Sequence, residues 1–200
     1  MKKQFLNFCE KTIIKNNKNI NEEELEIINY GLESIYLTLV KIVIIIFLSL
    51  LLGIFKEVIL MIVSYNIIRF FAFGLHAPNS TSCLITSIIL FIGGAYVSVY
   101  LDISIYIKII ISFISILLIS IYAPADTEKR PLINRKKRMK YKYISIVVSI
   151  FMSFFLIKFH DSYLSNFLLI GLREEVIMIL PITYKLYKLP YNNYKTYNEV

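Results

Sequence analysis

The chain has 200 residues, 57% of them hydrophobic, and a formal net charge of +8. Its mean hydropathy of +0.65 rules out an ordinary soluble domain, in which about 45–50% of residues are apolar. The only cysteines are Cys9 and Cys83, which argues for free thiols and against a disulfide framework.

The amino terminus does not read as a secretory signal, because its apolar core is short and Glu10 and Lys11 follow it. Phe5, Phe8, Cys9, Thr12 and Ile13 fall at helical spacing, with Lys3, Lys11 and Lys15 beside them. That pattern suits an amphipathic helix on the inner leaflet. Asn21 followed by Glu22, Glu23 and Glu24 reads as an N-cap with Glu at the third helical position. It starts a second helix carrying Leu25, Ile28 and Leu32, for which a solvated surface helix is an equal alternative. Residues 1–30 are therefore expected to form an interfacial segment.

Six apolar runs follow, at 35–55, 58–73, 84–101, 103–123, 143–159 and 163–182. A bilayer core of about 30 Å takes roughly 20 helical residues, and barrel strands would alternate apolar and polar residues. These runs do not alternate. Residues 31–188 are therefore expected to form an all-α integral membrane bundle of about six transmembrane or re-entrant helices. The 58–73 run is short and contains Arg69, so a re-entrant segment is an alternative there.

Positive charge is unevenly placed. Residues 124–142 hold eight Lys or Arg, residues 1–30 hold five Lys, and residues 183–200 hold three. Basic segments stay in the cytoplasm. Six spans bring all three basic segments to that side, together with the break after the second run. The polar tail 189–200, rich in Tyr and Asn, is expected to be mobile.

That break carries Gly74, His76, Pro78, Asn79 and Cys83. Pro78 disfavours helix at Ala77, and Asn79, Ser80 and Thr81 are all helix caps. The spacing predicts a helix starting near Asn79 or Ser80, with Cys83 in its first turn. Unpaired N–H groups and the positive end of the helix dipole favour an anion there, a sulfur nucleophile or an oxyanion. His76 precedes it on a bent loop, placed to act as a base. The bland alternatives are a small apolar filler for Cys83 and a satisfied interfacial polar group for His76. Asn79, Ser82 and Asp126 are candidates to orient the ring or line an oxyanion site.

Arg69 lies inside an apolar run, where charge is costly and usually paired. Arg173, Glu174 and Glu175 interrupt the last run. Arg69 is expected either to pair with Glu174 or Glu175, so fixing the loop that carries His76, or to snorkel to the interface. His160-Asp161 resembles a dyad but falls at an outer turn without a nearby nucleophile. No zinc-like ligand set or Gly-rich phosphate loop is present, so no metal, cofactor or nucleic acid is expected. The basic residues Lys129, Arg130, Arg135, Lys136, Lys137, Arg138, Lys140 and Lys142 would attract an acidic peptide. Their alternative roles are topology determination and binding of anionic lipids.

The stretch Arg69 to Cys83 closely resembles the signature of the AgrB family, accessory gene regulator B. In that family an Arg precedes Gly-Gly-x-His-Ala, and a Cys follows seven residues after the His. The turn Tyr122-Ala123-Pro124-Ala125-Asp126, with Pro131 and Arg135-Lys136-Lys137, resembles a second family signature in the same order. Phe73 stands where the family has the first Gly of the pair. The resemblance implies a membrane cysteine endopeptidase acting on the cytoplasmic side, with Cys83 as nucleophile and His76 as general base and then acid. It also implies an AgrD-like precursor peptide as substrate, removal of its acidic tail, cyclisation to a lactone or thiolactone, and a homodimer. Two competing classes are a non-enzymatic carrier or export component, with Arg69, Arg173, Glu174 and Glu175 along a pathway, and a helical adaptor.

Overall fold

The computed structural model describes residues 2–16, 21–77, 79–128 and 131–197. Pro78, Lys129 and Arg130, all invoked above, lie outside the described residues. The chain divides into two units, Met1–Leu48 and Ser49–Val200.

The first unit holds α1 (Lys2–Asn16) and most of α2 (Glu22–Leu51). Phe5 packs on Tyr36 with ring centroids 5.3 Å apart. The interfacial helix expected from Glu22 and the first span are one continuous helix of 30 residues. Its start is as expected, with Leu25 N–H donating to the Asn21 carbonyl at 3.0 Å. Only Gly31 sits between the two halves, and a single helical Gly costs about 1 kcal/mol, too little to break a long helix. The helix ends where Gly53 turns left-handed (φ 69°) and Ile54 N–H donates back to the Ser49 carbonyl at 2.9 Å.

In the second unit, α3 (Phe55–Ala72) and α8 (Tyr163–Ile179) form the centre. Around them pack α4 (Ser80–Ile88), which passes through a π-turn at Ile89–Gly93 into α5 (Gly94–Tyr100), then α6 (Ile105–Tyr122) and α7 (Arg135–Lys158). A short α9 (Pro181–Leu186) and a 3-10 turn (Asn193–Thr196) follow. No strand occurs among the described residues, and an isolated parallel bridge pairs Phe73 with Ala125.

Among the described residues, four helical stretches are long and apolar enough to cross a membrane: Gly31–Leu51, Ser80–Tyr100, Ile105–Tyr122 and Arg135–Lys158. The remaining two expected runs are α3 and α8, with 18 and 17 residues, about 26 Å of helix each. They carry Arg69, Arg173, Glu174 and Glu175, and α5, α6 and α7 pack against them. Gly171 makes this possible: a Cβ there would meet the backbone of Ser64 and Tyr65 at 2.9 Å.

The outer helices are inside-out. α6 buries Lys108, Ser112, Ser115 and Ile119, and α7 buries Ser145, Ser149, Met152, Ser153 and Leu156. Their exposed faces hold Tyr106, Ile110, Phe113, Leu117, Val147, Phe151 and Phe154. In lipid, helices gain nothing from hiding Leu and Phe, so small residues take the interface. Two of the inward hydroxyls bond to their own helix, Ser145 to the Tyr141 carbonyl and Ser149 to the Ile146 carbonyl, both at 2.8 Å.

Candidate functional site

Both sequence signatures meet at one end of the second unit. Gly74 N–H donates to the Ala125 carbonyl (2.8 Å), and Ala125 N–H donates to the Ala72 carbonyl (2.9 Å). The segment before His76 is thus paired with the turn before Asp126. Phe73 sits at φ 60° and Gly74 at φ 100°. Gly74 takes such a conformation without cost, whereas Phe73 must be held in it. Its ring packs edge-on against Tyr141 of α7, with centroids 4.9 Å apart. That contact occupies the place a glycine would leave open.

Arg69 organises the same segment from inside. Its side chain is only 13% exposed, so it is turned inward and does not snorkel. Nη2 donates to the carbonyls of Gly74 (3.1 Å) and Leu75 (2.6 Å), and Nη1 donates to Glu175 Oε2 at 3.5 Å. The guanidinium also lies 5.8 Å from the centre of the Tyr65 ring. Leu75 N–H donates to the Met178 carbonyl at 3.0 Å, and Leu75 is buried. Residues 74 and 75 are thereby pinned on both edges, and His76, the next residue, is exposed.

Glu174 is not Arg69's partner. Its carboxylate is buried beside Gly94 and Met61, and its Oε2 accepts no hydrogen bond. Arg173 is exposed.

The thiol helix begins as expected. Asn79 is extended (φ −134°, ψ 162°), and its Oδ1 accepts from Ser82 N–H at 2.8 Å. Its carbonyl accepts from Cys83 N–H at 2.9 Å. Cys83 therefore lies at the first turn of α4, half-buried and outside any disulfide. Both amides are engaged by Asn79, which takes Ser82 out of the candidate oxyanion donors. Asn79 itself is committed as a cap.

Asp126 is committed too. Its carboxylate accepts from the backbone N–H groups of Leu132 (3.2 Å), Asn193 (2.9 Å) and Tyr194 (2.7 Å). Tyr184 Oη donates to its carbonyl at 2.9 Å, and burial raises the Tyr184 hydroxyl, keeping it a protonated donor. Arg138 stacks 3.8 Å from the centre of the Tyr194 ring and donates to the Leu132 carbonyl at 3.0 Å. The tail expected to be mobile is thus docked as far as Tyr194, and Asn193 is buried. The residues that do this were missed because Tyr and Asn in a polar tail carry no periodicity. The only signal was their abundance.

Arg135, Lys136 and Lys137 form the exposed first turn of α7, capped by Asn134. At the opposite end of the bundle, His160 Nδ1 faces Asp161 Oδ1 at 2.9 Å, and the buried Lys108 donates to the His160 carbonyl at 2.7 Å. Among the described residues no three His, Cys, Asp or Glu side chains gather into a metal-binding group.

The profile of the accessory gene regulator B family, AgrB, matches residues 9–179. The chain belongs to the AgrB family. An AgrB-like protein of Clostridium acetobutylicum is 36% identical over 184 residues, covering 90% of this chain and 88% of that one. The accessory gene regulator protein B of Staphylococcus aureus is 30% identical over 171 residues, covering 86% and 90%. An AgrB-like protein of Listeria innocua is 30% identical over 178 residues, covering 88% and 87%. No solved structure matches the chain. AgrB proteins act in accessory gene regulation, a quorum-sensing system. In this AgrB chain the family match ends at Ile179, just before the segment that docks on Asp126.

Proposed function

We propose that this protein is a membrane cysteine endopeptidase that removes the acidic C-terminal tail of an AgrD-like precursor peptide and promotes its cyclisation. Cys83 is the nucleophile and His76 the proton carrier. The observation that carries this reading is the connector itself. Arg69, Met178 and Ala125 clamp residues 74 and 75, leaving His76 exposed directly before the capped turn that holds Cys83.

The chemistry balances as two exchanges. His76 accepts the Cys83 proton as Sγ bonds to the scissile carbonyl carbon. The C–N bond then breaks, and His76 returns the proton to the leaving amine of the tail. The precursor's own thiol or hydroxyl next attacks the thioester and gives its proton to His76. The ring closes as the bond from the carbonyl carbon to Sγ breaks, and His76 returns the proton to the Cys83 sulfur. Thioester exchange is close to isoenergetic, whereas hydrolysis is strongly downhill. A site at a membrane surface that keeps water away favours the ring.

In this reading the end carrying both signatures faces the cytoplasm, in keeping with its basic residues. The exposed Arg135, Lys136 and Lys137, with Arg138 next to them and Arg130 five residues earlier in the sequence, attract the acidic tail. Anionic lipid headgroups compete for the same charges. The protein acts as a homodimer, as the AgrB resemblance implies.

The test is co-expression with a tagged precursor from the same locus. Cys83→Ala, Cys83→Ser and His76→Ala should each abolish cleavage, with the protein still present in the membrane. Cleavage surviving in Cys83→Ala overturns the reading.

A further inference from the structure

Thr86 stands one turn after Cys83. Its hydroxyl lies 2.8 Å from the Ser82 carbonyl and 2.6 Å from the Tyr187 hydroxyl. A threonine hydroxyl has one proton. Donated to the Ser82 carbonyl, it leaves the oxygen to accept from Tyr187. The Ser82 carbonyl and the Cys83 N–H belong to one rigid peptide unit, whose N–H is held by the Asn79 carbonyl at 2.9 Å. Tyr187 thus reaches, through a single hydroxyl, the peptide plane from which Cys83 projects.

Tyr187 is itself held on both sides. Three residues earlier, Tyr184 is buried and bonded to the Asp126 carbonyl. Six and seven residues later, the Asn193 and Tyr194 amides occupy the Asp126 carboxylate. Asp126 follows Ala125, whose carbonyl and amide grip Gly74 and Ala72. One strap therefore touches the thiol helix at Thr86 and, through Asp126, the connector bearing His76.

We propose that the C-terminal strap 184–194 is a positioning element of the site, and that Tyr187 and Thr86 form a hydroxyl relay setting the thiol-bearing turn against the His76 connector. This rests on the peptidase reading for its activity arm alone. The relay adds no reacting group. Small displacements of a nucleophile are costly because a productive geometry has to be held, not just visited.

The experiment uses the full-length protein in membranes. It compares Tyr187→Phe, Thr86→Val, Thr86→Ser and the double variant Tyr187→Phe/Thr86→Val. Precursor cleavage should fall roughly tenfold in kcat, with KM unchanged, in Tyr187→Phe and in Thr86→Val. Thr86→Ser should keep the parent rate, and the double variant should be no slower than either single one. Amide hydrogen exchange gives a readout free of any substrate: residues 80–88 should exchange several-fold faster in the two disabling variants, with α6 and α7 unchanged. Parent-like cleavage and exchange in Tyr187→Phe and Thr86→Val overturn the relay. So do losses that multiply in the double variant, or exchange that quickens throughout the bundle. If Cys83→Ala still cleaves the precursor, the peptidase reading falls and the exchange measurement still decides the relay.

Discussion

Arg69 and Glu175 meet at 3.5 Å inside the second unit, and Glu175 is wholly buried. The pair links α3 to α8. The same guanidinium holds the Gly74 and Leu75 carbonyls, so one side chain joins the packing of the two central helices to the connector before His76.

Arg69→Ala should therefore lose both stability and cleavage. Removing one partner of a buried pair leaves the other uncompensated, at about 3–5 kcal/mol. Arg69→Ala/Glu175→Gln should recover part of the thermal stability in detergent, but not cleavage, because the two carbonyls remain unclamped. Parent activity in either variant contradicts this assignment.

Gly74→Ala should be inactive. A Cβ there collides with the Arg69 guanidinium and meets the Met178 carbonyl at 3.0 Å, in a backbone conformation of φ 100°. Strain of this kind amounts to about 1–3 kcal/mol and falls on the clamp itself. Cleavage should drop while helicity measured by circular dichroism stays near that of the parent.

Asp126→Ala should release the tail. Three backbone N–H groups lose their acceptor, each costing about 1–3 kcal/mol if left buried. Limited proteolysis should then cut within residues 188–197 far sooner than in the parent. Asp126→Asn, which keeps one acceptor oxygen, should be intermediate.

Gly171→Ala tests the fold apart from the site. Its Cβ would press on the Ser64 and Tyr65 backbone at 2.9 Å, which cannot yield as a side chain can. Overpacking of this kind costs about 1–3 kcal/mol, read as a lower melting temperature in detergent.

Lys136→Glu/Lys137→Glu changes an exposed surface at the start of α7. For an acidic-tailed precursor it should raise KM several-fold and leave kcat unchanged. The salt dependence of KM should also weaken, because screening then has less attraction to remove. An unchanged KM would leave these lysines to topology and lipid alone.

Local physics was legible in the residues themselves. Run length and the lack of alternation announced membrane helices. A helix starting near Asn79 or Ser80 with Cys83 in its first turn followed from short-range capping preferences, with Asn79 the cap in the structure. Long-range choices were not legible. Nothing local told Arg69 to take Glu175 over Glu174, since adjacent residues on a helix differ only in the direction they face. Nothing marked α3 and α8 as central, because a charged apolar helix is compatible with a rim or a core until Gly171 meets Ser64. The polar tail looked free because its partner, the Asp126 carboxylate, lies 67 residues away from Asn193. Propensity and hydropathy act over one or two turns. Burial of charge and closure of long loops are decided only when the whole chain is packed.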